Sequence, residues 1–251
     1  MSGTFVIDYL PESAQKYVSD YAIAAVDVIR ATTMAITAVA VGHRCYTVTS
    51  VDEAFALARS LDNPLLAGEL KGVMPAGFHM NNSPAELTLR SEFDRPLILL
   101  SSSGTQLLQA ASSCAYVYVA CLRNCYTVSR HMASRHPRIA LIGAGSRGEF
   151  REEDQLCCGW MGKYLMDAGF TPENKTTADI VERWFEEPVA ACAIGHSAMY
   201  LQRTGQLDDL DFVLEHVNDL PEVYFMDGRE VVGASRETAN TSESGLVTTG
   251  Y

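Results

Sequence analysis

Positive charge is scarce in this chain of 251 residues: 19 Lys and Arg stand against 31 Asp and Glu, a formal net charge of −12. Phosphate backbones and anionic membrane surfaces are held by clustered Lys and Arg, so nucleic acid and membranes are not expected as partners. A small anionic substrate is left open, because it needs only one focused positive site. Long apolar runs are missing too. The most apolar region, residues 22–41, is interrupted by Asp27 and Arg30, whereas a membrane span needs about 20 consecutive apolar residues. The opening stretch MSGTFVIDYLPESAQ lacks a basic start and a long apolar core, so no secretory signal is expected. Paired CxxC spacings are also absent. Cys45, Cys114, Cys121, Cys125, Cys157, Cys158 and Cys192 are scattered and odd in number, which reads as reduced thiols in a cytoplasmic protein. Most sit among Ala, Leu, Val or Tyr and are expected as small buried side chains; they offer no closed zinc set.

What is present is a repeated strand-then-helix pattern. Apolar runs YAIAAVDV, CYTVTS, PLLAG, RPLILL, AYVYVA and RIALIGAG alternate with segments of helical spacing, the signature of a mostly parallel sheet covered by helices, an α/β/α sandwich. Ser50 and Ser83 stand where helix caps are expected, Pro84 in a first turn, and Gly42 at a helix stop. After about residue 170 the rhythm changes to a helix-rich portion followed by EVYFMDGREVVG, read as a hairpin around Asp227–Gly228. One compact unit over residues 1–240 is expected, with a subdivision near 170 as the alternative. Residues 241–251 are polar and small, and are read as a flexible tail.

Ligands in open α/β sheets bind outside the carboxyl ends of the strands, so the residues just after each apolar run carry the information. Asp27, Arg30, Thr32 and Thr33 follow the first run. Glu69 lies in GELKG, and a long connection then leads to Asn82 and Ser83. His79, in that connection, is the histidine of most interest. Ser102, Ser103, Gly104 and Thr105 form SSSGTQ, a hydroxyl-rich junction between strand and helix. Helix starts carry free N–H groups that favour anions, while the junction lacks the Gly and Lys spacing of a nucleotide-binding P-loop. Asn124 follows in CLRN. Gly143, Gly145 and Gly148 come next, but no acidic residue stands at a strand end about twenty positions on, as a dinucleotide site requires. Glu152, Glu153 and Asp154 open the last long helix of this series, where the helix dipole favours negative charge.

Six segments in this order, VDVIRATT, GELKG, GFHMNNSPAE, SSSGTQ, CLRN and GAGSRGEFREEDQLCCG, resemble the 2-phosphosulfolactate phosphatase (ComB-type) family. The resemblance implies an α/β/α fold and a Mg²⁺-dependent phosphatase. In that family 2-phospho-3-sulfolactate is hydrolysed on the route to coenzyme M. The positions that carry over are Asp27, Arg30, Thr32 and Thr33; Gly68 and Glu69; Asn82, Ser83 and Pro84; Gly104 and Thr105; Asn124; and Gly145, Gly148, Phe150, Glu153 and Asp154. Departures fall at Ser103, Asn81 and the Arg151–Glu152 pair, where the family commonly has Asn, Gly and Ser-Leu. A relative recruited to another phosphorylated metabolite is therefore one alternative, and a non-catalytic phosphometabolite-binding protein is another.

On this reading Asp27, Glu69 and Asp154 are the expected metal ligands, direct or through water. Arg30 and the 101–105 loop would hold the phosphoryl oxygens, and a water would attack in line. A phospho-aspartate on Asp27 ranks second, because Ile29 occupies the place of a second carboxylate in a D-x-D motif. The apolar face of AYVYVA, together with a helical C-terminal half, leads to the expectation of a homodimer.

Overall fold

The structure, a computed structural model, describes residues 2–235. Ten strands form one sheet: β1 (Gly3–Tyr9), β2 (Ala22–Val26), β3 (Cys45–Val48), β4 (Leu65–Gly68), β5 (Leu97–Leu100), β6 (Val117–Ala120), β7 (Arg138–Gly143), β8 (Phe170–Pro172), β9 (Tyr224–Asp227) and β10 (Glu230–Gly233). Between them run nine α-helices: α1 (Ala31–Ala40), α2 (Val51–Ala58), α3 (Pro84–Thr88), α4 (Gly104–Ala110), α5 (Cys125–Arg135), α6 (Glu152–Asp167), α7 (Lys175–Trp184), α8 (His196–Arg203) and α9 (Leu207–Glu215). Two 3₁₀ turns, Pro11–Lys16 and Val189–Ile194, complete the set among the described residues.

The strand order is β4-β5-β3-β10-β9-β6-β2-β7-β1-β8. Two parallel blocks, β4-β5-β3 and β6-β2-β7-β1-β8, are joined by the antiparallel β9–β10 hairpin, which pairs with β3 on one side and β6 on the other. The hairpin expected at Asp227–Gly228 is therefore a central piece of the sheet, and strands from both sides of residue 170 share it. Two strands lie outside the sequence expectation. β1 carries only three consecutive buried residues, Phe5–Val6–Ile7, and β8 only three residues in all, too little for an apolar run to stand out. The expected caps are present: Ser50 accepts from the Glu53 N–H, and Ser83 from that of Glu86. The tail expected over residues 241–251 lies outside the described residues.

Period-2 alternation divides the core between two faces. In β2, Ile23 and Ala25 join the layer of α1 and α4, while Ala22, Ala24 and Val26 join that of α5, α6 and α7. In β5, Leu97 and Leu99 face the first layer, and Ile98 and Leu100 pack under α2. Every one of these side chains is buried, and cutting one of the large ones to Ala costs about 2–5 kcal/mol. Strand β6, whose apolar face raised the expectation of a dimer, is interior: all four residues are buried, between β2 and β9. Its face is used within the chain.

Helix α1 matters most for the site. Nine of its ten residues are buried, and it packs against strands of both blocks, β3 and β5 on one side and β6 on the other. The carboxyl ends of β2 and β5, separated by four strands in the sheet order, are thereby brought together at its N-terminus.

Candidate active site

A cavity of about 530 Å³ opens at this convergence. It is lined from the loops after β2 (Asp27, Ile29, Arg30), β4 (Glu69, Lys71, Gly72), β5 (Ser101, Ser102, Ser103) and β7 (Gly145, Ser146, Arg147, Glu149, Arg151). Asn82 and Asp154 also line it, as do His196, Ser197, Tyr200, Leu201 and Arg203 of α8.

Asp27 and Asp154 form its floor. Asp27 is buried; its Oδ1 accepts from the Ala31 N–H at 3.2 Å. Burial, and then the nearby Glu69 charge, push its carboxyl up to about 6 against the opposing pull of the Ala31 N–H, Arg30 and the Gly104 N–H. Asp154 is also buried. Its Oδ1 accepts from the Val28 N–H at 2.8 Å and its Oδ2 from the Gly145 N–H at 3.3 Å. Burial, together with the charges of Asp27 and Glu153, holds this carboxyl well above its ordinary value. Two carboxylates thus stand close enough to oppose each other's ionisation, each fixed by backbone donors.

Two glycines permit this geometry. A Cβ on Gly104 would lie 2.3 Å from Asp27 Oδ2 and 2.5 Å from Ala31 Cβ. The need at Gly104 is close approach, since its φ is not positive. Gly145 has φ +57° and a Cβ there would sit 2.6 Å from the Glu149 carbonyl, so a side chain would be both strained and crowded.

The loops around the floor are tied to each other. Glu69 accepts from the Ser102 N–H at 2.7 Å, the Ser102 hydroxyl at 2.9 Å and the Gly72 N–H at 2.6 Å. The Ser102 hydroxyl also accepts from the Lys71 N–H at 2.6 Å. Ser101 and Thr105 bond reciprocally, with the Thr105 N–H donating to the Ser101 hydroxyl and the Ser101 N–H to the Thr105 hydroxyl. Ser103, by contrast, faces the cavity with no side-chain bond to α4.

Several predicted residues support the site without lining it. The Thr32 hydroxyl donates to the Asp27 and Ala120 carbonyls and accepts from the Asp27 N–H; that of Thr33 donates to the Val28 carbonyl. Asn124 accepts from the Cys121 N–H and donates to the Val119 carbonyl. Ser83 caps α3 and donates to Asp209 at 2.7 Å. These side chains, with Thr105, fix the strand–helix junctions. Asn82 does line the cavity, with its buried Oδ1 free of any hydrogen-bond partner. His79 is exposed and accepts from the Leu66 N–H at 2.9 Å; it does not line the cavity. The imidazole that does is His196, whose Nδ1 is 3.5 Å from Glu152 Oε1.

Sequence reasoning missed the cationic rim and the α8 wall. Lys71, Arg147, Arg151 and Arg203 line the cavity together with Arg30. Arg151 lies 3.7 Å from Glu149, and Arg30 pairs with buried Asp209 of α9. Five of the chain's 19 Lys and Arg thus gather at one cavity of a protein with net charge −12. Among the described residues no group of three or more His, Cys, Asp or Glu side chains is arranged to hold a metal ion; the floor offers two. No helix among them is long and apolar enough to cross a membrane.

Comparison with known proteins identifies the family. A profile of the 2-phosphosulpholactate phosphatase family matches residues 8–223, a span that includes every cavity-lining residue. A protein of Symbiobacterium thermophilum named "Probable 2-phosphosulfolactate phosphatase" is 33% identical over 196 residues, 74% of this chain and 83% of its own length. One of the same name from Deinococcus radiodurans is 31% identical over 215 residues, 83% of this chain and 88% of its own. A third, from Pseudothermotoga lettingae, is 34% identical over 153 residues, 60% of this chain and 64% of its own. The chain belongs to the 2-phosphosulfolactate phosphatase family of phosphoric monoester hydrolases.

Proposed function

We propose that this protein is a Mg²⁺-dependent phosphatase acting on a small, multiply anionic phosphate monoester, with 2-phosphosulfolactate, the compound its relatives are named for, as the substrate. The observation that carries the reading is the meeting of a buried carboxylate pair, Asp27 and Asp154, with a five-cation rim in one cavity. A neutral ester gives such a rim nothing to bind, and an anion without a cation at the floor would be repelled by the pair.

The floor fits Mg²⁺. That ion takes one or two protein carboxylates, keeps several waters and uses substrate phosphate oxygens for the rest, so two carboxylates suffice. A cation there would offset the burial and the neighbouring negative charges that raise both carboxyls. Asp27 and Asp154 would hold it, with Glu69, whose oxygens are committed to the loops, reaching it through water. When bound, Mg²⁺ polarises the phosphoryl group and acidifies a water. The protein's own groups do the remaining work. Arg30 presents a planar donor fork to the phosphoryl oxygens. Ser103 and Asn82 add hydroxyl and amide contacts, and Ser102, whose hydroxyl proton goes to Glu69, holds the loop beside them. Lys71, Arg147, Arg151 and Arg203 bind the other anionic groups of the substrate. His196 is the candidate proton donor to the leaving oxygen. Positioning and charge stabilisation of this kind carry most of phosphoryl-transfer catalysis.

The test is release of inorganic phosphate from 2-phosphosulfolactate and from a panel of other small phosphate esters, with Mg²⁺ and with excess chelator. Release that requires Mg²⁺ and favours 2-phosphosulfolactate is expected. A full rate in excess chelator removes the metal from the reading, and a stronger preference for another ester reassigns the substrate. Thermal stabilisation by the ester without turnover makes the protein a binder.

A further inference from the structure

Arg30 lines the cavity, yet its guanidinium Nη1 is also held by the Asp209 carboxylate of α9. The two side chains are only 5% and 4% exposed. Asp209 does not line the cavity. Its other oxygen accepts from the Ser83 hydroxyl at 2.7 Å and the Ala85 N–H at 3.1 Å, at the start of α3. One carboxylate thus joins the starts of α1 and α3 to α9.

Stability alone does not explain this arrangement. A buried ion pair loses solvation that its attraction often fails to repay, and apolar replacements are frequently as stable. Charge for anion binding does not explain it either, since Asp209 offsets the charge of the cation it holds. What the contact does supply is direction. Arg30 stands at the start of α1, and among the described residues the hydrogen bond of its guanidinium goes to Asp209 of α9, so the fork is directed from outside its own element. Asp209 occupies one edge of the guanidinium, and a guanidinium has five N–H donors in a rigid plane, so the remaining donors stay available to the cavity.

We infer that Asp209 is a positioning residue: it orients the Arg30 guanidinium toward the phosphoryl group and makes that orientation depend on the seating of α9 against α1 and α3. The inference rests on Arg30 as the phosphoryl clamp in the proposed function and deepens that reading. It also gives a role to a helix, α9, that lies outside the strand-end loops.

The experiment is a double-mutant cycle of Arg30→Lys, Asp209→Asn and the pair. It reads kcat and KM for 2-phosphosulfolactate, the Kd for inorganic phosphate, and Tm. Asparagine keeps an acceptor for Ser83 and Ala85 and removes the charge that holds the fork. Asp209→Asn is expected to lower kcat about 10- to 100-fold with KM changed less than about tenfold, the split that marks an interaction made mainly in the transition state. In the Arg30→Lys background the same change should cost less than about threefold, because residues acting as a unit are non-additive. Additive losses, or a kcat for Asp209→Asn within about twofold of the parent, overturn the inference. If Arg30→Lys is itself fully active, the clamp reading fails instead. If the parent protein shows no turnover, the cycle on phosphate affinity decides: weakening by Asp209→Asn that disappears with Arg30→Lys supports the coupling, and no weakening ends it. Where Asp209→Asn does not fold, Asp209→Glu keeps the charge on a longer arm and carries the same expectation of non-additivity.

Discussion

Asp27 and Asp154 reach the cavity from the end of β2 and the first turn of α6, and backbone N–H groups hold each of them. His196, Ser197, Tyr200 and Arg203 reach it from one short helix, α8, which is tied to the rest of the site by side chains: His196 near Glu152, Ser197 bonded to Glu153, Ile29 packed beside Leu201, and the Tyr200 hydroxyl donating to the Gly72 carbonyl at 2.6 Å. The floor is fixed by the sheet itself, in groups whose charges oppose one another. The wall is fixed by side chains, in groups that carry opposite charge or donate hydrogen bonds. A phosphatase needs both, the first to hold the reacting centre and the second to bind the rest of an anionic ester. Substitutions in the floor should therefore lower kcat, and those in the wall should mostly raise KM.

The largest effect is expected at the floor. Asp27→Asn and Asp154→Asn should each lower kcat/KM by about 10³-fold or more, roughly 4 kcal/mol or above, measured by steady-state phosphate release. The same Asp27→Asn should make the protein less sensitive to pH. In the folded state Asp27 is pushed up to about 6 from 3.8, and Glu153 to about 7 from 4.5, in both cases chiefly by burial. The unfolded chain gives up these protons first, so between about pH 4 and pH 7 the native state binds more of them. Their contribution to stability is present below the unfolded values and is lost as pH rises through the folded ones. In excess chelator, the parent should lose more Tm than Asp27→Asn does between pH 4.5 and pH 7.5. Equal losses would separate the floor carboxyl from the stability of the protein.

Gly104 joins the two regions of the sheet at the floor, and its replacement should come next. Gly104→Val places a branched side chain where a Cβ alone would lie 2.3 Å from Asp27 Oδ2. Overpacking of this kind costs about 1–3 kcal/mol, and displacement of Asp27 should add a loss of kcat of about 100-fold. Ser103→Ala, which removes a hydroxyl with no side-chain bond to its helix, should change Tm by less than about 1 °C and kcat/KM by only a few-fold. Reversal of this order would mean that the loop binds through Ser103 and that Gly104 has room to spare.

Why the floor was legible in the sequence and the wall was not follows from the same contrast. A polar residue at the end of an apolar strand has to face the carboxyl edge, so the residue pattern alone places Asp27, Glu69, Ser102 and Ser103 there, while Asp154, in the first turn of α6, was singled out by the family resemblance. The strand-end rule cannot say whether such a residue faces the ligand or the backbone. Ser, Thr and Asn bond equally well to a substrate oxygen and to a nearby peptide group. Thr32, Thr33, Ser83, Thr105 and Asn124 took the second course. Residues of α8 and α9 follow no strand, and their apolar spacing reports only that one face is buried. His196, Arg203 and Asp209 are placed by the packing of α9 against α3, more than 100 residues away in the chain, and of α8 against α9, a long-range event that local pattern does not contain. The interior position of β6 was hidden for the same reason, because the hairpin that covers its edge lies more than 100 residues away.

Arg203→Ala should sharpen the comparison from the wall side. The guanidinium lines the cavity at the end of α8, away from the floor. If it binds an anionic group of the substrate equally in ground and transition states, its loss should raise KM about 3- to 30-fold and leave kcat within about twofold. A fall in kcat with unchanged KM would move Arg203 from the wall to the reacting centre.

The smallest effect on the wall side is expected at Tyr200→Phe. The hydroxyl bonds to the Gly72 carbonyl, and Gly72 in turn donates its N–H to Glu69, so the bond connects the wall to the loop over the floor. Phenylalanine keeps the ring and removes one hydrogen bond at a partly exposed position, a change worth about 0.5–1.5 kcal/mol. Tm should fall by a few degrees at most, and KM should rise about two- to threefold as the 70–73 loop loosens from α8. The loop's other ties, from Ser102 and Glu69, remain, which is why kcat should hold. A kcat loss as large as that of Gly104→Val would show that α8 sets the geometry of the floor and that the two regions act as one.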